Sequence, residues 1–137
     1  MTVRSTVHDT FVINRTFAFP RDLVFAAWAT LEAKSRWFVG PGGWEAKTRE
    51  LDFRAGGHER VVGRKPGGRV STFSAHYYDI VPNERIVYAY EMYLDDVRIS
   101  VSVATVEFKE RKHQYGVTAL RNVGYGYWQR AVLSTFA

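Results

Sequence analysis

The second half of the chain is a succession of alternating polar and apolar segments, separated by short turns. The predicted segments are 44–53, 58–64, 70–81, 85–94 and 98–108. The residues that separate them are Gly56-Gly57, Pro66-Gly-Gly68, Pro82-Asn-Glu84 and Asp95-Asp96. Alternation with a period of two is typical of β-strands, and turns this short join antiparallel neighbours. The pattern therefore predicts an antiparallel meander of five strands.

A strand and two helices are predicted before this meander. Residues 9–17 alternate, with Phe11, Ile13 and Phe17 on one side, and are rich in β-branched and aromatic types. Pro20 suits the first position of a helix, and a second short helix is predicted over about residues 31–37. The apolar face of the first helix is marked by Val24, Ala27, Trp28 and Leu31. This order predicts the α+β class, a curved antiparallel sheet of six or seven strands whose apolar face is covered by helices.

Length and composition exclude several classes of protein. A chain of 137 residues fits one domain, 1–137, and it contains no cysteine. Disulfide scaffolds, thiolate metal sites and cysteine nucleophiles are therefore excluded. The longest apolar stretches, such as residues 23–29, are far shorter than a membrane span, and no apolar signal segment is present at the N-terminus. We expect a cytoplasmic protein that does not enter membranes.

The positive charge of the chain is concentrated near its C-terminus. The net charge is +5, but residues 1–110 contain 15 Lys and Arg against 14 Asp and Glu. The remaining excess comes from Arg111, Lys112, Arg121 and Arg130. A nucleic-acid-binding domain usually presents a basic face on its folded body, and none of the common recognition motifs is present. We therefore expect no nucleic-acid partner.

Several segments in a fixed order resemble a known superfamily. They are Phe11-Val-Ile-Asn-Arg-Thr-Phe17, Pro20-Arg-Asp-Leu-Val-Phe-Ala-Ala-Trp28, Ala33-Lys-Ser-Arg-Trp-Phe38, Gly56-Gly57 and Asp79-Ile-Val-Pro-Asn-Glu-Arg-Ile-Val-Tyr88. Over about residues 9–110, the chain resembles the START-like (SRPBCC) superfamily, and more closely the branch related to the C-terminal domain of the activator of the heat-shock-protein-90 ATPase. The resemblance implies a helix-grip fold, in which a sheet wraps around a long C-terminal helix. It also implies a cavity that holds a small apolar or aromatic ligand.

Residues 111–137 depart from this resemblance. A last strand is predicted over residues 113–121 and a short helix over about 127–136. The apolar stripe of that helix would consist of Trp128, Val132, Leu133 and Phe136. The segment is interpreted either as a short natural variant or as an altered or truncated end, and the loss of acidic residues after Glu110 slightly favours the second. A short helix would leave the cavity more open, and a homodimer covering the exposed sheet is then expected.

Aromatic side chains are the first candidates for a ligand site. Those expected to contact a ligand are Trp28, Trp37, Trp44, Phe73, Tyr88 and Tyr90, and the resemblance places Trp37 and Tyr88 near the cavity. Four polar strand residues are candidates for inward-facing groups: His58, Glu59, His76 and Glu91. Alternation places His58 and Arg60 on one face of their strand and Glu59 on the other, so these three residues do not form a triad.

The sequence gives no basis for a metal or cofactor site. His58-Glu-Arg-Val-Val62 lacks the second histidine of a zinc-binding motif. The glycine clusters match neither dinucleotide-binding nor phosphate-binding loops, and Gly-x-Ser-x-Gly is absent.

Three functions remain open at this point. The first is binding of a small hydrophobic molecule in the cavity. The second is a chaperone-linked or stress-related interaction module, which the resemblance alone implies. The third is cyclase-, dehydratase- or hydrolase-like catalysis, with one of the four polar candidates as the acid or base.

Overall fold

The computed structural model describes residues 10–110 and 118–124, which form seven strands and two helices. In chain order the elements are β1 (Phe11–Phe17), α1 (Arg21–Ala29), α2 (Leu31–Ser35), β2 (Glu45–Leu51), β3 (His58–Arg64), β4 (Ser71–Val81), β5 (Arg85–Leu94), β6 (Val97–Glu110) and β7 (Thr118–Gly124). The predicted α+β class is confirmed.

All seven strands belong to one antiparallel sheet. Its order is β1-β7-β6-β5-β4-β3-β2, so β2 to β6 are consecutive neighbours, as the alternating segments predicted. β7 pairs with both β6 and β1. The first strand of the chain therefore lies at one edge of the sheet, and β2 lies at the other.

The two helices cover one face of this sheet because the chain must cross from β1 to β2 at the opposite edge. Phe25 on α1 contacts Phe108 on β6, with ring centroids 5.4 Å apart. Phe38, just after α2, contacts Phe73 on β4 at 4.9 Å. We call the covered side the inner face. Its buried strand residues include Glu59, Val61, Ser71, Phe73, Ala75, Tyr77, Ile86, Tyr88, Tyr90, Met92, Ser102, Ala104, Val106 and Phe108.

The start of α2 at Leu31 agrees with the prediction, but the assignment of Leu31 to the apolar face of the first helix was wrong. Pro20 precedes α1, and Val24 and Trp28 are buried as predicted. Leu31 does not belong to the buried face of α1, because Thr30 is extended and ends that helix. The Thr30 hydroxyl instead accepts a hydrogen bond from the Ala33 amide and caps α2. Leu31 consequently starts a new helix and is exposed.

The Gly56-Gly57 turn holds the backbone of β4 at Tyr77. Gly56 has a φ of +81°, a conformation that favours glycine. Its amide donates to the Tyr77 carbonyl at 2.8 Å, and the Tyr77 amide donates to the Gly57 carbonyl at 3.0 Å. A Cβ at position 57 would lie 2.0 Å from the carbonyl oxygen of Asp52, so only glycine fits this approach.

Part of the C-terminal prediction lies outside the described residues. β7 covers Thr118–Gly124, which overlaps the end of the strand predicted over 113–121. The helix predicted over 127–136 and its apolar stripe are outside the described residues. No helix within 10–110 and 118–124 is long and apolar enough to cross a membrane.

Candidate functional site

A lysine, a glutamate and a tyrosine meet in the core between α2 and the inner face of the sheet. Lys34 Nζ donates to Glu59 Oε1 at 2.5 Å and to the Tyr77 hydroxyl at 3.2 Å. The Tyr77 hydroxyl in turn donates to Glu59 Oε1 at 2.7 Å. The side chains of Lys34 and Glu59 are each 3% exposed. We call Lys34, Glu59 and Tyr77 the buried triad.

Aromatic rings surround the ammonium group of the triad. Lys34 Nζ lies 5.0 to 5.9 Å from the ring centroids of Phe38, Trp28, Tyr77 and Tyr88. These distances are within the range of cation–π attraction. The charged group is thus held in an apolar setting, with hydrogen bonds on one side and π-faces around it.

A buried lysine and glutamate lower the stability of the fold unless each charge has its hydrogen-bond partners. Moving a carboxylate and an ammonium out of water costs several kcal/mol each, and their attraction often does no more than offset this. An apolar trio of similar volume would commonly be at least as stable. Buried, hydrogen-bonded ionisable groups of this kind are characteristic of functional sites.

The charge of the triad also changes the acidity of Tyr77. Burial raises the pKa of the Tyr77 hydroxyl far above its ordinary value of 10.0, and the adjacent Glu59 carboxylate raises that pKa further. Tyr77 is therefore a proton donor to Glu59 across the physiological range, and the hydrogen-bond direction of the triad is fixed.

One indole N–H beside the triad has no acceptor among the described residues. Trp37 Nε1 donates to the Ala27 carbonyl at 2.8 Å, and Trp44 Nε1 donates to Ser71 Oγ at 3.2 Å. Trp28 is 3% exposed, yet its Nε1 has no hydrogen-bond partner in the described part of the chain. A buried donor without an acceptor costs about 1 to 3 kcal/mol. The position is suited to a ligand atom that accepts a hydrogen bond.

Arg49 adds a second cation at the edge of the inner face. It lies directly opposite Val61, whose side chain is buried on that face, and opposite residues of paired strands share a face. Its guanidinium carbon is 5.9 Å from the Trp44 ring centroid. Burial lowers the pKa of Arg49, while the Glu59 charge acts in the opposite direction. Arg49 therefore lies within the electrostatic reach of the triad.

The aromatic candidates all lie on or beside the inner face. Five are buried: Trp28, Trp37, Phe73, Tyr88 and Tyr90. The sixth, Trp44, is half-buried and lies over Gly63, where a Cβ would be 2.3 Å from its ring. Burial raises the pKa of Tyr90 to about 12, and the neighbouring Ser102 hydroxyl acts against that shift.

Only one of the four polar candidates joins this set. Glu59 faces inward, but His58 and His76 are exposed and lie opposite each other in the β3–β4 register. Each of them is next to a residue of the triad in the chain, so strand alternation places both on the outer face. Glu91 is half-buried, pairs in register with the exposed Val101 and accepts a hydrogen bond from Tyr93. The expectation that His58, His76 and Glu91 line the cavity is thereby corrected.

Sequence reasoning missed Lys34. A lysine in a short helix is ordinarily expected to be exposed, and its residue type gives no sign of burial. The inward-facing Glu59 was the available signal, because a buried carboxylate requires a donor.

The described residues contain no group of three His, Asp or Glu side chains that could hold a metal ion. The groups described at this site are the buried triad, the Trp28 N–H and the aromatic rings.

Comparison with known proteins identifies the family. Residues 18–125 match the family model described as activator of Hsp90 ATPase homolog 1-like protein. This chain belongs to the activator of Hsp90 ATPase homolog 1-like family. The match covers α1, α2 and β2 to β7, so the triad lies within the family domain. No match to the sequence was found among curated proteins.

Solved structures share the fold of this family member. An uncharacterised protein from Rhizobium leguminosarum is 39% identical, with a TM-score of 0.83 over 98% of this chain and 95% of its own. Mll3558 from Rhizobium loti is 29% identical, with a TM-score of 0.79 over 98% of both chains. DynU16, a protein in the dynemicin biosynthetic locus, is 13% identical with a TM-score of 0.62, over 86% of this chain and 37% of its own. The START-like resemblance found in the sequence is confirmed.

Proposed function

We propose that this protein binds a small, largely apolar or aromatic molecule on the inner face, against the buried triad. The observation that supports it most directly is the placement of a buried lysine within aromatic rings, next to an indole N–H for which residues 10–110 and 118–124 provide no acceptor. Ligand sites are mostly apolar, with a few precisely placed polar groups that fix orientation. The aromatic rings would contact the body of the ligand, and Lys34 and Trp28 would contact its polar group.

A ligand that binds only the folded protein raises its melting temperature. The stabilisation is RT ln(1 + [L]/Kd), about 2.7 kcal/mol when the ligand is at one hundred times its Kd. We would screen flat aromatic and lipid-like compounds by thermal shift and confirm the active ones by calorimetry. Binding is expected for the wild type and for Tyr78→Leu, a change on the outer face, but weakened in Tyr88→Leu. If no compound shifts the melting temperature, or if Tyr78→Leu and Tyr88→Leu respond alike, the proposal fails.

Catalysis at Glu59 is the second candidate function. The support for it is that a carboxylate, a tyrosine hydroxyl and an ammonium converge on the inner face. Such a carboxylate could remove a proton next to a carbonyl, as a cyclase or dehydratase requires, with Lys34 near the developing oxyanion. Incubation with an aryl 1,3-diketone in deuterium oxide tests this by mass spectrometry. Faster exchange with wild type than with Glu59→Gln is expected, and equal exchange rates would eliminate this function.

Interaction with a chaperone is a third candidate, and it has a separate structural basis. Three consecutive outward-facing apolar residues on β6 are more than half exposed: Ile99, Val101 and Val103. We call them the β6 stripe. Exposed apolar patches often mark protein contacts, and the family name points to Hsp90. Calorimetry with purified Hsp90 should detect binding that is lost in Val101→Lys/Val103→Lys. Absence of binding by the wild type would remove this candidate.

A further inference from the structure

We propose that the ligand of the inner face carries one negative charge, as a hydrophobic carboxylate does, and that Lys34, Trp28 and Arg49 select for it. This inference rests on the proposed ligand-binding function and names the chemical class of the ligand.

Two donors beside each other are available to a ligand within residues 10–110 and 118–124. A lysine ammonium has three N–H donors. Two of those of Lys34 are directed at Glu59 and at the Tyr77 hydroxyl, whose single proton is also directed at Glu59, so a third N–H is not used by the triad. The Trp28 N–H has no acceptor among the described residues, and Lys34 Nζ is 5.4 Å from the Trp28 ring centroid. A carboxylate, which carries two acceptor oxygens on one carbon, supplies one acceptor for each of these donors.

The described charges on the inner face favour an anion. Lys34 and Glu59 are buried and paired with each other, and Arg49 adds a half-buried cation on the edge strand β2. Glu59 already accepts from Lys34 and Tyr77, and it also acts electrostatically on Arg49. A cation that is partly shielded from water attracts an anion more strongly than a fully exposed cation does. A bound monoanion would bring the site to neutrality.

The aromatic rings around Lys34 indicate the chemistry of the part of the ligand that is not the carboxylate. Trp28, Phe38 and Tyr88 stand around the Lys34 ammonium, so a ligand whose polar group reaches this ammonium must contact aromatic rings. A small inorganic anion would leave these contacts unused. The chemical class is therefore an aromatic or similarly hydrophobic monocarboxylate.

Matched pairs of probes test the charge directly. We would use 2-naphthoic acid with 2-naphthamide, and cinnamic acid with cinnamamide, because each pair has the same shape but a different charge. By calorimetry, the wild type should bind each acid at least about tenfold more tightly than its amide, because hydrogen bonds to a charged group are roughly twice as strong as neutral ones.

Single substitutions test which residues produce the preference for acids over amides. Arg49→Gln removes the edge cation and should lose most of the preference for acids. Trp28→Phe removes the free donor but keeps the ring, and should weaken acid binding severalfold. The matched control is Arg60→Gln, which removes the same charge from the outer face of the neighbouring strand β3. It should leave the preference for acids unchanged.

The three possible negative results of these binding experiments lead to different conclusions. If the amides bind as tightly as the acids, the anion proposal is overturned while the ligand-binding function stands. If the acids are preferred equally by the wild type, Arg49→Gln and Trp28→Phe, the assignment to these residues is overturned. If neither member of either pair binds, both the charge proposal and the binding function are contradicted.

Discussion

At the scale of single residues, Lys34 and Glu59 depend on each other because both are buried and charged. Removing one partner leaves the other as an uncompensated charge in the core, which costs about 3 to 5 kcal/mol, whereas replacing both by apolar residues is often close to neutral. We therefore expect Lys34→Met to lower the free energy of unfolding strongly, and Lys34→Met/Glu59→Leu to restore most of it. Urea unfolding of wild type, single and double variants measures this. A single variant as stable as the wild type would contradict the account of the triad.

The same two residues show how far the sequence could predict the site. Strand alternation separates Glu59 from His58 and Arg60 without any tertiary information, but both Glu59 and His58 remained candidates because alternation does not say which face of the strand is covered. The burial of Lys34 was not predictable, because it depends on how α2 packs against β3 and β4. No local sequence pattern indicates that packing. The Trp28 N–H, which has no acceptor among the described residues, could not be predicted either. Whether an indole N–H meets a carbonyl or hydroxyl oxygen depends on tertiary packing.

At the scale of elements, the Gly56-Gly57 turn positions Tyr77 within β4. A methyl group at position 57 would clash with the backbone oxygen of Asp52, so the turn must move away from β4. We expect Gly57→Ala to lower the free energy of unfolding by about 1 to 3 kcal/mol, the usual cost of overpacking. Gly42→Ala is the control, since nothing lies within 4 Å of a Cβ there. Denaturant unfolding compares the two. Equal stability of both variants would show that the turn does not hold Tyr77.

The elements themselves were more predictable than the site. The meander β2 to β6 is encoded by alternation and by turns whose positive-φ residues include Gly56, Gly67, Asn83 and Asp95. The start of α2 at Leu31 was predicted, but Leu31 was also assigned to the apolar face of α1 because it continues the helical spacing of Val24 and Trp28. Thr30 ends that helix through its own extended conformation, a capping event that apolar periodicity does not reveal.

At the scale of the whole molecule, two buried tyrosines couple stability to alkaline pH. Burial raises the pKa of both Tyr77 and Tyr90 above 10.0, that of Tyr90 to about 12. In the unfolded chain both tyrosines ionise near pH 10, so their contribution to the free energy of unfolding is fully present below that pH. This contribution is lost as the pH rises further, by about 1.4 kcal/mol per pH unit for each tyrosine. In urea unfolding at increasing pH, the free energy of unfolding should decline less steeply for Tyr77→Phe and for Tyr90→Phe than for the wild type. Phe73→Leu, which removes no hydroxyl, should retain the wild-type slope; equal slopes in all four proteins would contradict this.

The β6 stripe is also a property of the whole molecule, because it determines which surface is available for association. Val101→Lys/Val103→Lys replaces two exposed side chains, so we expect little change in the free energy of unfolding. If a second copy covers the stripe, a homodimer that forms through this outer face should dissociate to monomers in this variant. Light scattering over a range of protein concentrations measures the mass. A dimer that persists in the variant would place the interface elsewhere.

A ligand held on the inner face next to Trp28 and Lys34 should be detected directly by the indole N–H resonances of Trp28, Trp37 and Trp44. A ¹H–¹⁵N spectrum, assigned with Trp28→Phe, would be recorded during titration with 2-naphthoic acid. Because Trp28 Nε1 has no acceptor among the described residues while Trp37 Nε1 is bonded to Ala27, binding should shift the Trp28 resonance downfield and leave that of Trp37 nearly unchanged. A saturating titration in which the Trp28 resonance does not move would contradict the account.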